Sequence, residues 1–169
     1  MQVSVPAPAD PALGATIRPA CEADLPSLIS LCADHAAYEG ATYDPTGKAE
    51  PLRSLLFGEA ATLRGLVAAG ISGLLGYATW SPQVSTWDAR WYAHMDCLYL
   101  RPEARGIGLG WHLVARVVRD AHAAGLVQVQ WQTPQGNVRA MRFYDRLGAT
   151  QRPKARFILD AAAFPAFLP

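Results

Sequence analysis

Arg105-Gly106-Ile107-Gly108-Leu109-Gly110 is the stretch on which the reading of this chain turns. It stands between two segments of different period. Upstream, Trp91–Leu100 reads as a long strand that Arg101-Pro102 ends. Downstream, a helix begins near Gly108: Leu113, Val114, Val117, Val118 and Ala121 repeat at intervals of three and four, and Gly125 stops it. Glycines at such a junction let successive backbone N–H groups converge on an anion, and the helix N-terminus adds its partial positive charge. A dinucleotide fold also places glycines there, but in a βαβ unit with an acid about 20 residues on. Here three antiparallel-looking strands come first, and the residues at that distance, Asp120 among them, belong to the helix. The bland alternative is a turn that binds nothing.

The elements on either side follow by periodicity. A short strand at Ala15–Arg18 precedes a helix over Glu22–Tyr38, with Asp24 as N-cap, Pro26 in the first turn and Gly40 as stop. A shorter helix runs from about Ala49 to Phe57. Strands at Thr62–Ala69 and Gly73–Trp80 flank a turn. Beyond the central helix, Val127, Val129 and Trp131 alternate with glutamines, so Val127–Thr133 reads as a half-buried strand running parallel to Trp91–Leu100 and diverging from it. Asn137 caps a helix carrying Ala140, Met141, Tyr144 and Leu147 on one face, and Gly148 ends it. A closing strand is expected at Arg156–Leu159. The order β-α-α-β-β-β-α-β-α-β implies an α/β (α+β) fold: a mixed, mostly antiparallel twisted sheet with helices on both faces and a splayed parallel pair. Residues 1–14 read as a flexible extension and 15–169 as one domain.

Composition excludes several classes. The chain has 169 residues, 17% of them charged, with a formal net charge of +1, which argues against a surface built on basicity for nucleic acid. No run approaches the ~20 apolar residues that span a bilayer. Cys21, Cys32 and Cys97 have no paired spacing, which fits a reduced cytoplasmic protein without a disulfide framework or zinc site. His35, His112 and His122 read as surface positions on helices, because nothing of metal-ligand spacing accompanies them. The charges are divided unevenly. Pro19–Ala60 holds seven acids and two bases, whereas Arg101–Arg156 holds ten bases and three acids. That division suits a site whose anionic ligand lies against the second half and whose cationic one lies against the first.

The glycine stretch resembles the pyrophosphate loop of the GNAT superfamily of N-acetyltransferases, whose pattern is Arg/Gln-x-x-Gly-x-Gly/Ala. Further likeness lies in Ile17-Arg18-Pro19-Ala20, Leu98-Tyr99-Leu100-Arg101-Pro102, Asn137-x-x-Ala140-x-x-Phe143-Tyr144 and Leu147-Gly148-Ala149. Ala37-Tyr38-Glu39, Ser85-Thr86-Trp87 and Asp96 look most like the diamine branch, the spermidine/spermine or thialysine acetyltransferases. The resemblance implies acetyl-CoA as cosubstrate, no metal, a small-molecule amine as acceptor and a homodimer. It assigns the backbone of Cys97, Leu98 and Tyr99 to the pantetheine amides. Arg105, Gly106, Ile107, Gly108, Leu109, Gly110 and Trp111 take the pyrophosphate, and Asn137, Val138, Arg139 and Ala140 the CoA arm. Tyr144 becomes the general acid, and Tyr38, Glu39 and Trp87 line the amine site. In that branch a glutamate usually precedes the strand aspartate; here the position is Met95.

The chemistry asks for these residue types independently. An alkyl ammonium of pKa ~10.4 is only about one part in 2,500 neutral at pH 7, so a site must strip or relay a proton. A departing thiolate of pKa ~8.5 is stabilised by a phenol of pKa ~10. Two alternatives remain at this stage. One is acetylation of another amine, such as an antibiotic or a peptide N-terminus; the other is an acyl-CoA-binding module without catalysis.

Overall fold

The protein is described by a computed structural model over residues 14–168. The extension expected at residues 1–14 lies, apart from Gly14, outside the described residues. Five strands form one sheet in the order β1 (Thr16–Pro19), β2 (Arg64–Gly70), β3 (Gly73–Ser85), β4 (Arg90–Leu100) and β5 (Val129–Gln130). Neighbours are antiparallel except β4 and β5, which run parallel. Helices α1 (Leu25–Tyr38) and α2 (Ala49–Phe57) cover one face. Helix α3 (Leu109–Ala123) covers the other, where Phe143 of α4 (Val138–Arg146) and the C-cap residue Leu147 also pack.

Strand alternation divides the core between these two faces. Val67, Tyr77 and Tyr99 point to the α1 side, against Leu28, Leu31 and Leu56. Leu66, Ala68, Ala78, Trp80, Ala93 and Met95 point to the α3 side, against Leu113, Val114 and Val117. A register shift opposite Thr79 and Trp80 breaks the alternation in β4: Met95 pairs with Trp80 and Cys97 with Thr79, leaving Asp96 without a partner. This β-bulge bends β4 beside the place where, among the described residues, a parallel strand joins it.

That junction is short. β4 and β5 share two register pairs, Ala93 with Val129 and His94 with Gln130. Beyond them, residues 95–100 of β4 have no neighbouring strand on that edge among the described residues. The edge leaves backbone donors and acceptors open to an extended ligand.

Some expectations need correction. The helix expected over Glu22–Tyr38 begins with a 3₁₀ turn at Glu22–Asp24, and the α-helix starts at Leu25. Asp24 holds the N-cap position of α1 without capping it; its carboxylate accepts instead from Arg18 and from the Cys21 N–H. β3 runs five residues past Trp80, straight through Pro82. The ladder to β2 ends at Trp80, so from Ser81 onward β3 has, among the described residues, only β4 beside it, and the missing N–H of Pro82 costs no ladder bond on the open side. No strand forms at Arg156–Leu159. Phe157, Ile158 and Leu159 stay exposed, and a 3₁₀ segment follows at Ala161–Phe167. Strand preference is realised through packing and a paired ladder, and this segment has neither.

Candidate functional site

The glycine stretch folds as a turn leading into α3. Gly106 and Gly108 adopt φ of 83° and 90°, left-handed values that a side chain would strain, and Gly108 is the N-cap. The first amide to bond back within the helix is His112 N–H, to Gly108 O at 3.2 Å. The N–H groups of Leu109, Gly110 and Trp111 therefore point out of the first turn, which carries no acid. Leu109 buries its side chain completely, and Ile107 packs beside it, so these two have backbone to offer a ligand. A Cβ on Gly110 would meet Phe143 at 3.4 Å. The geometry suits a diphosphate: free amides, a helix dipole and no competing negative charge.

Arg105 takes no part in that cradle. Its Nε donates to Leu100 O at 2.8 Å, and its guanidinium lies over the rings of Tyr38 and Tyr99, 4.3 and 5.4 Å from their centroids. The stack ties the turn to the C-terminal end of α1.

The end of α1 also meets the start of α4. Tyr38 Oη donates to Asn137 Oδ1 at 3.3 Å, and the same oxygen accepts from Ala140 N at 3.1 Å as the helix cap. Tyr38, Glu39, Asn137, Val138 and Arg139 thus line one open pocket of about 440 Å³. Tyr144 lies one and a half turns further along α4, half-buried, its ring 5.1 Å from Trp131 and 5.3 Å from Phe143. Burial, with the nearby charge of Glu39 and the Tyr38 phenol adding to it, pushes its hydroxyl up to about 12. It remains a proton donor throughout the neutral range.

Sites foreseen from sequence are thus distributed unevenly. Tyr38, Glu39, Asn137, Val138 and Arg139 come together in the pocket, and Tyr144 lies near enough for Glu39 and Tyr38 to act on its hydroxyl. Cys97, Leu98 and Tyr99 lie on the stretch of β4 whose far edge is open. Trp111 is half-buried, edge-on to His112. Trp87 stands apart at the β3–β4 hairpin tip, 98% exposed, and does not line the pocket. Met95 is 2% exposed within the α3-side core, so it faces away from α1.

Sequence reasoning misplaced one group and left a second, which it had singled out, without a role. His35, expected at the surface, is wedged in the α1 face with its side chain 16% exposed. Its ring stacks on Tyr99 at 5.1 Å, its Nδ1 lies 3.1 Å from Tyr77 Oη and its Nε2 3.5 Å from Glu39 Oε1. Burial holds its pKa below the usual value against the pull of Glu39. A signal existed: Leu28, Leu31 and His35 recur at three and four, which sets the histidine on the apolar face. The second is Asp96. The bulge leaves it unpaired in β4, and its charge acts on His35 and Cys32 of α1.

Comparison with known proteins gives this arrangement its setting. The sequence pattern of the acetyltransferase (GNAT) family matches residues 30–149. Thialysine N-epsilon-acetyltransferase of Bos taurus is 31% identical over 147 residues, covering 82% of this chain and 86% of that protein. The enzyme of the same name from Caenorhabditis elegans is 29% identical, covering 83% and 88%. Among solved structures, a transcriptional regulator from Bacillus halodurans superimposes with a TM-score of 0.75 at 22% identity, over 86% of this chain and 99% of that one. An aminoglycoside acetyltransferase from an uncultured soil metagenomic sample gives 0.75 at 18% identity, over 90% and 99%. At those identities the two structures speak for the fold alone. Family pattern, curated relatives and fold agree: the chain belongs to the acetyltransferase (GNAT) family and is an acetyl-CoA-dependent N-acetyltransferase.

Proposed function

We propose that the enzyme acetylates a primary amine of a small cationic, diamine-like molecule, using the pocket between the end of α1 and the start of α4. The observation that carries this reading is a carboxylate in that pocket with a buried phenol close behind it on α4. Glu39 lines the pocket, and its charge is felt by the hydroxyl of Tyr144. A carboxylate suits an ammonium group, and a protonated phenol suits a leaving thiolate. The names of the relatives, thialysine acetyltransferases, support a substrate bearing an extended primary amine.

In this reading the pyrophosphate of acetyl-CoA lies over the N–H groups of Leu109–Trp111, and its pantetheine arm bonds to the open edge of Cys97–Tyr99. Asn137 through Ala140 border the arm. The amine nitrogen approaches from the Glu39 side and Tyr144 protonates the departing sulfur. A cytoplasmic homodimer belongs to the same reading; exposed Phe157, Ile158 and Phe167 supply apolar surface on which a second copy can pack.

The test is thiol release from acetyl-CoA over a panel of diamines, aminoglycosides and peptide N-termini. Diamines are expected to give the highest kcat/KM. Preference for peptide N-termini or aminoglycosides overturns the acceptor, and acetyl-CoA binding without turnover of any amine overturns the catalytic reading.

A further inference from the structure

The acceptor arrives as an ammonium, and the position that a carboxylate could occupy on β4 is filled by Met95, sealed in the opposite core. The proton needs another destination. Helix α1 supplies one. His35 and Glu39 are one turn apart on the same face, with Nε2 3.5 Å from Oε1. The imidazole is held on its other sides as well, by Tyr77 Oη at 3.1 Å from Nδ1 and by the Tyr99 ring stacked on it.

We propose that His35 and Glu39 act as one proton-accepting pair for the acceptor amine, Glu39 at the pocket and His35 behind it. This rests on the acetyl-transfer reading given above. Glu39 touches the ammonium; His35 acts through Glu39 and is a positioning and proton-storing residue. The pair differs from a merely satisfied core histidine in one respect: its carboxylate member opens on the pocket, whereas packing against Tyr77 and Tyr99 requires no carboxylate at all.

The protons balance as follows. With Nδ1–H donating to Tyr77 Oη, Nε2 is the free acceptor. The ammonium gives a proton to the Glu39 carboxylate, which hands it to Nε2 and leaves an imidazolium beside a carboxylate. The neutral amine attacks the thioester carbon, forming the C–N bond. Collapse of that adduct breaks the C–S bond; the sulfur takes the Tyr144 proton, and Tyr144 recovers one from the nitrogen. The stored proton then leaves to water, so the sum is ammonium plus thioester giving amide, thiol and one proton.

The charges around the ring suit this role. Burial lowers its basicity most, Arg105 lowers it further, and Glu39 and Asp96 raise it. Tyr77 and Tyr99 complete the surroundings from β3 and β4, and both keep their protons at neutral pH because burial raises them. The ring is thus neutral near pH 7 and able to accept.

The experiment combines pH–rate profiles, read by thiol release from saturating acetyl-CoA and a diamine, with NMR titration of the His35 ring. In the wild type kcat should rise through a pKa below ~6.5, the ordinary histidine value. His35→Gln keeps a hydrogen-bonding amide but cannot titrate. It should lower kcat by about 10²-fold, leave KM for acetyl-CoA unchanged and lose that rising limb. A structural role alone would lower activity without moving the limb. Glu39→Gln removes the negative neighbour, so the ring's titration and the rising limb of kcat should move together to lower pH; their joint movement ties the ring to the rate even if His35→Gln fails to fold. An unmoved ring titration in Glu39→Gln, or a His35→Gln enzyme within a few-fold of wild type with its limb intact, overturns the pair while the acetyltransferase stands. A wild type that acetylates no amine overturns the function reading, and the pair with it.

Discussion

At Tyr144 a core role and the proposed acid role meet on one side chain. Its ring packs beside Phe143 and Trp131, and the charges of Glu39 and Tyr38 act on its hydroxyl. A core role and an acid role make different demands on the oxygen. Tyr144→Phe keeps the ring, so packing alone predicts little change. An acid role predicts a fall in kcat of about 10²–10⁴-fold with acetyl-CoA affinity nearly kept, measured by steady-state kinetics and calorimetry. Because its hydroxyl is pushed up to about 12, the wild type should show no loss from Tyr144 ionisation until the pH nears that value. Sequence could place this tyrosine through helical spacing and family likeness. It could not weigh His35, whose partners Tyr77 and Tyr99 are 42 and 64 positions away and come beside it only when the sheet folds. Met95 was legible as a missing carboxylate but not as a buried one. A base installed there would place a carboxylate among Trp80, Ala93 and Leu113, where an unpaired charge costs several kcal/mol.

At the scale of elements, those whose period matches their burial were legible: α2, α3, α4 and β4 lie where alternation and heptad-like spacing put them. The extension of β3 was not, since Pro82 reads as a breaker unless one knows that β2 has already ended. Nor was the absence of a strand at Arg156–Leu159, because a run of apolar residues does not say whether an edge awaits it. The junction of β1 and α1 offers a sharper test. Arg18 grips Asp24 with two nitrogens, at 2.6 and 2.8 Å, and the Cys21 N–H adds a third bond. These bonds, the Arg18 pair foremost, hold the Asp24 carboxyl down at about 2 against the opposing effect of burial. The folded pKa lies below the unfolded one, so the stabilisation is complete above ~3.9 and drains away as pH falls toward the folded value. With Arg18 partly exposed and screened, the contribution is about 1–2 kcal/mol. Asp24→Asn should lose that amount at pH 7 by denaturant unfolding. It should also show a shallower loss of stability between about pH 4 and 2 than the wild type.

Across the whole molecule, the uneven charge division takes on a geometry. Many of the acids in the first half are engaged: Asp24 with Arg18, Glu22 and Glu50 with Arg53, and Asp34 with Arg101. What remains directed at the pocket is Glu39, with Asp96 nearby from the bulge, while Arg139 borders it from α4. Under the proposed function a cationic acceptor would therefore be drawn by a few near charges rather than by a broad field, and acetyl-CoA by amides and the α3 dipole. Near, partly exposed charges are screened by salt over a Debye length of about 30 Å at 0.01 M and about 8 Å at 0.15 M. Raising ionic strength across that range should increase KM for a diamine several-fold and KM for a monoamine of equal length less. For both, kcat should change little, because screening weakens an attraction common to ground and transition states. Initial rates at four or five salt concentrations, with both acceptors at fixed pH, read the difference directly. Equal salt dependence for the two, together with faster turnover of neutral or anionic amines, would remove the cationic acceptor. It would leave the acetyltransferase itself in place, since that rests on the family pattern and the fold.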